Sequence, residues 1–135
     1  LDLESARLAI REAWRILKPG GVWRIVQPDL RFEINRYVDD PDPIAGHALM
    51  RRLGMGHETR RRSWKRLTES LFSHYIHEWM WDFPMLKTEL EIVGFDAIRR
   101  ACLGDSEFSD FSDVESPDRW VDALGVECRK PREDL

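Results

Sequence analysis

Leu17-Lys18-Pro19-Gly20-Gly21-Val22-Trp23-Arg24-Ile25-Val26 carries the chain from the end of a long helix into a buried strand through one tight turn. Upstream, Leu3, Ala6, Ile10, Ala13, Trp14 and Leu17 recur at spacings of three and four, which makes one apolar helix face. Pro19 cannot continue that helix, and glycine accepts the left-handed backbone of a helix exit. Residues 22–26 are short and rich in β-branched side chains, as a strand covered by helices would be. The pattern names an α/β architecture and not an activity.

Further along, residues 30–38 read as a short helix with Leu30, Ile34, Tyr37 and Val38 on one side. Asp39-Asp40-Pro41-Asp42-Pro43 breaks it; Asp42 is a candidate N-cap with Pro43 at the first helical position of a helix through about Leu53. Residues 63–81 form the next helical pattern, with Trp64, Leu67, Leu71, Tyr75 and Trp79 close to one face. A helix follows over 84–93, closed by Gly94 as a left-handed cap and Phe95 as its hydrophobic contact. Strands are expected at 97–102 and 121–129, separated by an acidic loop at 104–118.

At 135 residues and 42% hydrophobic, the chain is long enough for one domain and too short for two ordinary ones. A net charge of -4 gives no global argument for nucleic acid as an obligatory partner. No apolar run approaches the roughly 18 residues that span a bilayer, so no membrane partner is expected. Cys102 and Cys128 fit a reducing, cytoplasmic setting and read as two small buried side chains in neighbouring strands, with a disulfide as the alternative.

The residues also resemble a known family. Arg-Ile-Leu-Lys-Pro-Gly-Gly at 15–21 is similar to the junction before the fifth strand of class I S-adenosylmethionine-dependent methyltransferases, and Val26-Gln27-Pro28-Asp29-Leu30 to the end of that strand. His77-Glu78-Trp79-Met80 resembles an H-x-W element of one branch. Residues 86–95 are similar to the helix ending in Gly-Phe, Gly104-Asp105-Ser106 to the turn after the sixth strand, and Val126-Glu127-Cys128 to the last strand.

The resemblance implies the C-terminal part of a Rossmann-like doubly wound, mostly parallel sheet: about three strands plus helices, where the whole has about seven strands. Residues 1–30 would be helix plus strand, 31–81 a helical insertion or lid, and 82–130 a helix plus two C-terminal strands. The family holds S-adenosylmethionine on a glycine-rich loop after its first strand and an acid ending its second. No such loop occurs in this sequence, where Gly20-Gly21 precede a strand and Gly54-x-Gly56 lies in a polar stretch. The expectation is the acceptor side of a longer enzyme for a small molecule, with the cofactor bound upstream of Leu1 and this chain alone inactive. The edge of 22–26 facing the absent strand would then be left unpaired, inviting a homodimer, a covering helix or poor stability.

Several side chains are candidates for the chemistry. Gln27, Pro28 and Asp29 follow the carboxyl end of a strand, where open α/β sheets bind ligands. Asp29 would orient a substrate hydroxyl or amine with Gln27 hydrogen-bonding it; the alternative is that Asp29 caps the helix beginning near Arg31 and Phe32. His77, matching the H-x-W element, would be the base, or else packs with Trp79 and Trp81. Trp79, Trp81 and Arg31 complete the implied substrate set, aromatic walls suiting a planar or sugar-like acceptor. His74 and His77 share a helix face but supply two ligands where a metal needs three or four, so no metal site is expected. Seven basic residues against only Glu58 at 51–66 leave a second reading open: a non-catalytic, methyltransferase-like module holding nucleic acid or protein, or a basic stretch attracted to the six acids of 104–118.

Overall fold

The computed structural model describes residues 1–55 and 79–132. Helix α1 (Leu3–Ile16) starts at Asp2, whose carboxylate accepts from the Ser5 amide at 2.7 Å. Its last carbonyls, on Trp14 and Leu17, are taken by the Lys130 ammonium at 2.8 and 2.9 Å. Gly20, at φ +78°, then turns the chain into β1 (Val22–Pro28). Helices α2 (Leu30–Val38), α3 (Ala45–Arg52) and α4 (Phe83–Val93) follow among the described residues. Strand β2 (Asp96–Arg100), two short 3₁₀ turns at Ser109–Asp113 and Pro117–Arg119, and strand β3 (Ala123–Arg129) complete the order.

The chain is therefore α/β, with a three-stranded sheet in the order β1-β3-β2. No parallel neighbours occur within these three strands, unlike the mostly parallel layer expected for the whole sheet. The last strand inserts between the other two, and each neighbouring pair is antiparallel. β1 and β2 thus run parallel to one another without touching. Reaching the centre lets β3 bury both its faces: Leu124, Val126 and Cys128 are inaccessible on one side, and Gly125 and Glu127 are buried on the other.

The two faces are covered differently. Trp23 and Ile25 stand opposite Cys128 and Val126 and meet Ala6 and Ile10 of α1 and Leu86 and Leu90 of α4. That is the apolar core. α4 closes against it through Gly94 at φ +110°, where the Phe95 amide returns to the Leu90 carbonyl at 3.1 Å and Phe95 stacks edge-on with Trp14 at 5.0 Å. On the opposite face lies the 104–118 loop. Arg24, with a side chain 3% exposed, reaches Glu127, Asp105 and Glu115 at 2.7 to 2.9 Å there. Its guanidinium also lies 5.2 Å from the Trp120 ring centre and 5.5 Å from that of Phe111.

Local chemistry explains the shifted boundaries. β2 begins at Asp96 and ends before Cys102, because Ala97 at φ +46° sits in a register shift between Asp96 and Arg99. β3 starts at Ala123 rather than 121, since Asp122 adopts φ +56°. α3 starts a turn late: Asp42 accepts from the Ile44 amide at 3.0 Å instead of capping at Pro43. Cys102 is exposed beyond β2 while Cys128 is buried, so the two are free thiols and not a buried neighbouring pair. The apolar side read for α2 is not inside, as Ile34, Tyr37 and Val38 are exposed.

Gly125 is the tightest point of the sheet. A Cβ there would come within 2.4 Å of the Ala101 carbonyl oxygen and 2.3 Å of the Trp120 ring. Gly125→Ala is expected to destabilise the protein by about 1–3 kcal/mol, because backbone on one side cannot retreat. Chemical denaturation that finds this variant as stable as the parent would contradict the packing.

Candidate functional site

A cavity of about 400 Å³ opens along β1, between the N-terminal half of α1 and residues 79–81. Its walls come from both sides of the core: Trp23 and Ile25 from β1, Ala6, Ala9 and Ile10 from α1, and Leu86 from α4. Trp79, Met80 and Trp81 close one end. Trp81 is placed by backbone pairing, since Asp29 and Trp81 form a parallel bridge and the Leu30 amide donates to the Trp81 carbonyl at 3.0 Å. Its ring is 6% exposed and meets Trp79 edge-on at 6.2 Å. Trp79 is 39% exposed and forms the rim.

Gln27 is the polar member of this wall. Strand alternation turns its side chain to the same face as Trp23 and Ile25, and its amide Nε2 is buried with no hydrogen-bond partner among the described residues. A buried donor left unmet costs about 1–3 kcal/mol, which makes it a natural contact for the acceptor atom of a ligand. An enclosure of this size with aromatic walls and one donor suits a small, largely flat molecule carrying an oxygen or nitrogen acceptor.

The structure brings Gln27, Trp79 and Trp81 together, and leaves Asp29 and Arg31 off the cavity wall. Asp29 is 7% exposed and caps α2, accepting from the Arg31 amide at 2.9 Å and the Phe32 amide at 3.4 Å. Its second oxygen faces the Arg100 guanidinium at 3.5 Å. Of the two roles open in the sequence, capping is the one the structure holds. Arg31 is exposed and pairs with Asp82 at 3.1 Å, next to the Asp82 cap of α4. His77 lies outside the described residues, as do His74, Glu78, Trp64, Phe72 and Tyr75.

The second concentration of charge was not anticipated from the sequence. Glu127 is the register partner of Arg24 on one side and of Arg99 on the other. Arg99 binds Glu127 and Asp105, both at 2.7 Å. Arginine in the middle of Val-Trp-Arg-Ile-Val and glutamate in Gly-Val-Glu-Cys was the available signal, because unpaired charge does not survive in a central strand. Of the basic segment at 51–66, residues 56–66 lie outside the described residues, so its expected attraction to the 104–118 acids is read only at its start. Asp105 and Glu115 serve Arg24 and Arg99, Glu107 pairs with Arg129, and Arg52 is spent on Glu33 at 2.6 Å.

These contacts set the protonation states. Burial pushes the Glu127 carboxyl up, but hydrogen bonds from Arg24, Ser106 and Arg99 outweigh it and hold it below the usual range. Asp105 is held well below the usual carboxylate range by Arg99 first, with the Cys102 amide and Arg24 adding to it against desolvation. The Cys128 thiol is pushed up to about 12 by burial beside Glu127 and Asp96, and stays protonated. Among the described residues, the charged side chains of this cluster are paired with one another. No group of three or more metal-ligating side chains occurs among the described residues, and no helix among them is long and apolar enough to cross a membrane.

Compared with protein-family models, curated proteins and solved structures, the chain matches none of them.

Arg24→Met should cost about 3–5 kcal/mol at neutral pH, because it leaves Glu115 and Glu127 buried with less positive charge. Glu127 and Asp105, whose carboxyls are held low by these arginines, stabilise the fold above the unfolded-state range near about pH 4, and that contribution drains away as the pH falls further. Parent and variant stabilities, measured by urea midpoint, should therefore converge between neutral pH and about pH 3. A gap that stays constant over that range would contradict the network.

Proposed function

We propose that this chain forms the acceptor-binding side of a class I S-adenosylmethionine-dependent methyltransferase for a small molecule, and that its sheet is the trailing part of a larger doubly wound one. The observation that carries the reading is the aromatic cavity at the carboxyl end of β1 with the unmet Gln27 amide on its wall. This is the end at which open α/β sheets take ligands. The ordered run of methyltransferase-like motifs passes through the same residues, from Arg15 to Asp29 and again at Trp79. An antiparallel strand at the margin of an otherwise parallel sheet is common, so the placement of β3 is compatible with the larger sheet.

The donor side does not fit the described residues. Gly20, Gly54, Gly94 and Gly104 take positive φ at turns and helix exits, and none follows a strand to open a helix as a phosphate- or ribose-facing loop does. The chemistry assigned to this chain is therefore confined to the acceptor. Gln27 orients it by donating to its oxygen or nitrogen, Trp23, Trp79 and Trp81 flank its ring, and the apolar wall excludes water from the reacting atom. His77 remains the proposed base, needed only when the acceptor must lose a proton. The reading as a module that binds through residues 51–66 gains nothing from Arg52, whose guanidinium is engaged by Glu33.

The test is methyl transfer from labelled S-adenosylmethionine to a panel of small aromatic acceptors, in the longest native form of the protein. Gln27→Leu is expected to lower kcat/KM about tenfold, the equivalent of one hydrogen bond to the acceptor. His77→Ala should abolish transfer to hydroxyl acceptors. No transfer to any acceptor, or an unchanged Gln27→Leu enzyme, would overturn the assignment.

A further inference from the structure

Arg100, the last residue of β2, does not belong to the ion cluster. Arg99 turns to Glu127, so strand alternation sends Arg100 to the opposite face, the one covered by helices. Its cross-strand partner there is Val126, which is fully buried. An arginine beside an apolar layer needs a place for its charge. The Arg100 guanidinium lies over Phe83, the first residue of α4, 5.1 Å from the ring centre. It also lies 3.5 Å from the second oxygen of Asp29, so a side chain of one edge strand reaches past β3 to the carboxyl end of the other.

Asp29 and Asp82 are two helix caps built alike. Each gives one oxygen to amides of its own helix, Asp29 to Arg31 and Phe32 and Asp82 to Met85. Each turns its other oxygen to an arginine of a different element, Asp29 to Arg100 and Asp82 to Arg31. The Met85 amide first, with Arg31 and Arg100 adding their charge, holds the Asp82 carboxyl below its usual range against desolvation. Between the caps, Trp81 is attached by its bridge to Asp29 and by the Leu30 amide at 3.0 Å.

We propose that Arg100 is a positioning residue for the cavity: by joining the Asp29 cap to Phe83, it holds the Trp81 segment against the start of α2 and fixes the aromatic wall before a ligand arrives. One bridge and one hydrogen bond are a short attachment for a segment that carries two indole rings. Rings left for the ligand to order would weaken its binding. Arg31 acts on one cap, whereas Arg100 acts on both and is anchored on the ring that opens α4. The inference concerns the cavity wall and is independent of what occupies it, methyl acceptor or not.

Arg100→Gln removes the charge and leaves both caps in place. It should speed hydrogen exchange of the Leu30 amide about three- to fivefold, the range of a half-exposed ion pair, while the amides of β3 exchange as before. In protein labelled with fluorotryptophan, the fluorine resonance of Trp81, assigned by its loss in Trp81→Phe, should shift and broaden while those of Trp14 and Trp120 stay. Arg100→Lys keeps a charge within reach of Asp29 and should restore most of both signals. Unchanged Leu30 exchange or an unchanged Trp81 resonance in Arg100→Gln overturns the proposal. So does a lysine variant no better than the glutamine one, or equal loosening at every tryptophan, which would mark a purely structural role. Should Arg100→Gln fail to fold, salt on the parent decides. About 0.5 M sodium chloride, which shortens the screening length to about 4 Å, should speed Leu30 exchange selectively, and the absence of a selective change overturns the assignment.

Discussion

Glu127, in the middle of the central strand, is bound from both sides by the arginines that stand opposite it in register, and the architecture follows from that clamp. Carboxylate and guanidinium groups out of water are costly when unpaired, by several kcal/mol each. With β3 between them, β1 brings Arg24, whose side chain is 3% exposed, and β2 brings the half-exposed Arg99 onto the same carboxylate, so the order β1-β3-β2 satisfies the buried charges. Asp105 and Glu115 then bring the acidic loop down over the cluster. Apolar burial on the helix side supplies most of the driving force, being roughly proportional to area and indifferent to register. The charged side supplies the register.

A sheet built this way has unequal edges. β2 is shortened and bent by the bulge at Ala97, which is how proteins commonly blunt an edge. β1 pairs with β3 over seven residues without a register shift, and among the described residues its carboxyl end is covered on the outer side by the Trp81 segment. The cavity lies on that edge, lined by α1 and residues 79–81 beside the outer half of β1. Function is therefore sought at β1 and stability at β3.

Where secondary structure is decided locally, it was legible. The six-position apolar face of α1, the Pro-Gly-Gly exit, Asp29 before α2 and the Gly94-Phe95 closure each act within a few residues, and each appears where the pattern put it. What escaped was non-local. A run such as Val-Trp-Arg-Ile-Val does not say whether its neighbour is parallel or antiparallel, and the insertion of β3 depends on a partner about a hundred residues away. The same holds for the site. The carboxyl end of β1 was found because position along a strand is local, and Gln27, Trp79 and Trp81 do converge there. Asp29 falls outside because its carboxylate is turned to the α2 cap and Arg100, and Arg31 because it turns outward to Asp82.

The cavity and the charged cluster sit on opposite faces of one strand. Trp23, Ile25 and Gln27 line the cavity, whereas Arg24 between them turns to Glu127, Asp105 and Glu115 on the other face. The apolar wall lowers the local dielectric, which strengthens a hydrogen bond from Gln27 to a bound acceptor and raises the cost of leaving that amide unmet. Behind the strand the ion pairs fix its register, so the side that binds and the side that holds the sheet in place answer to different residues of β1.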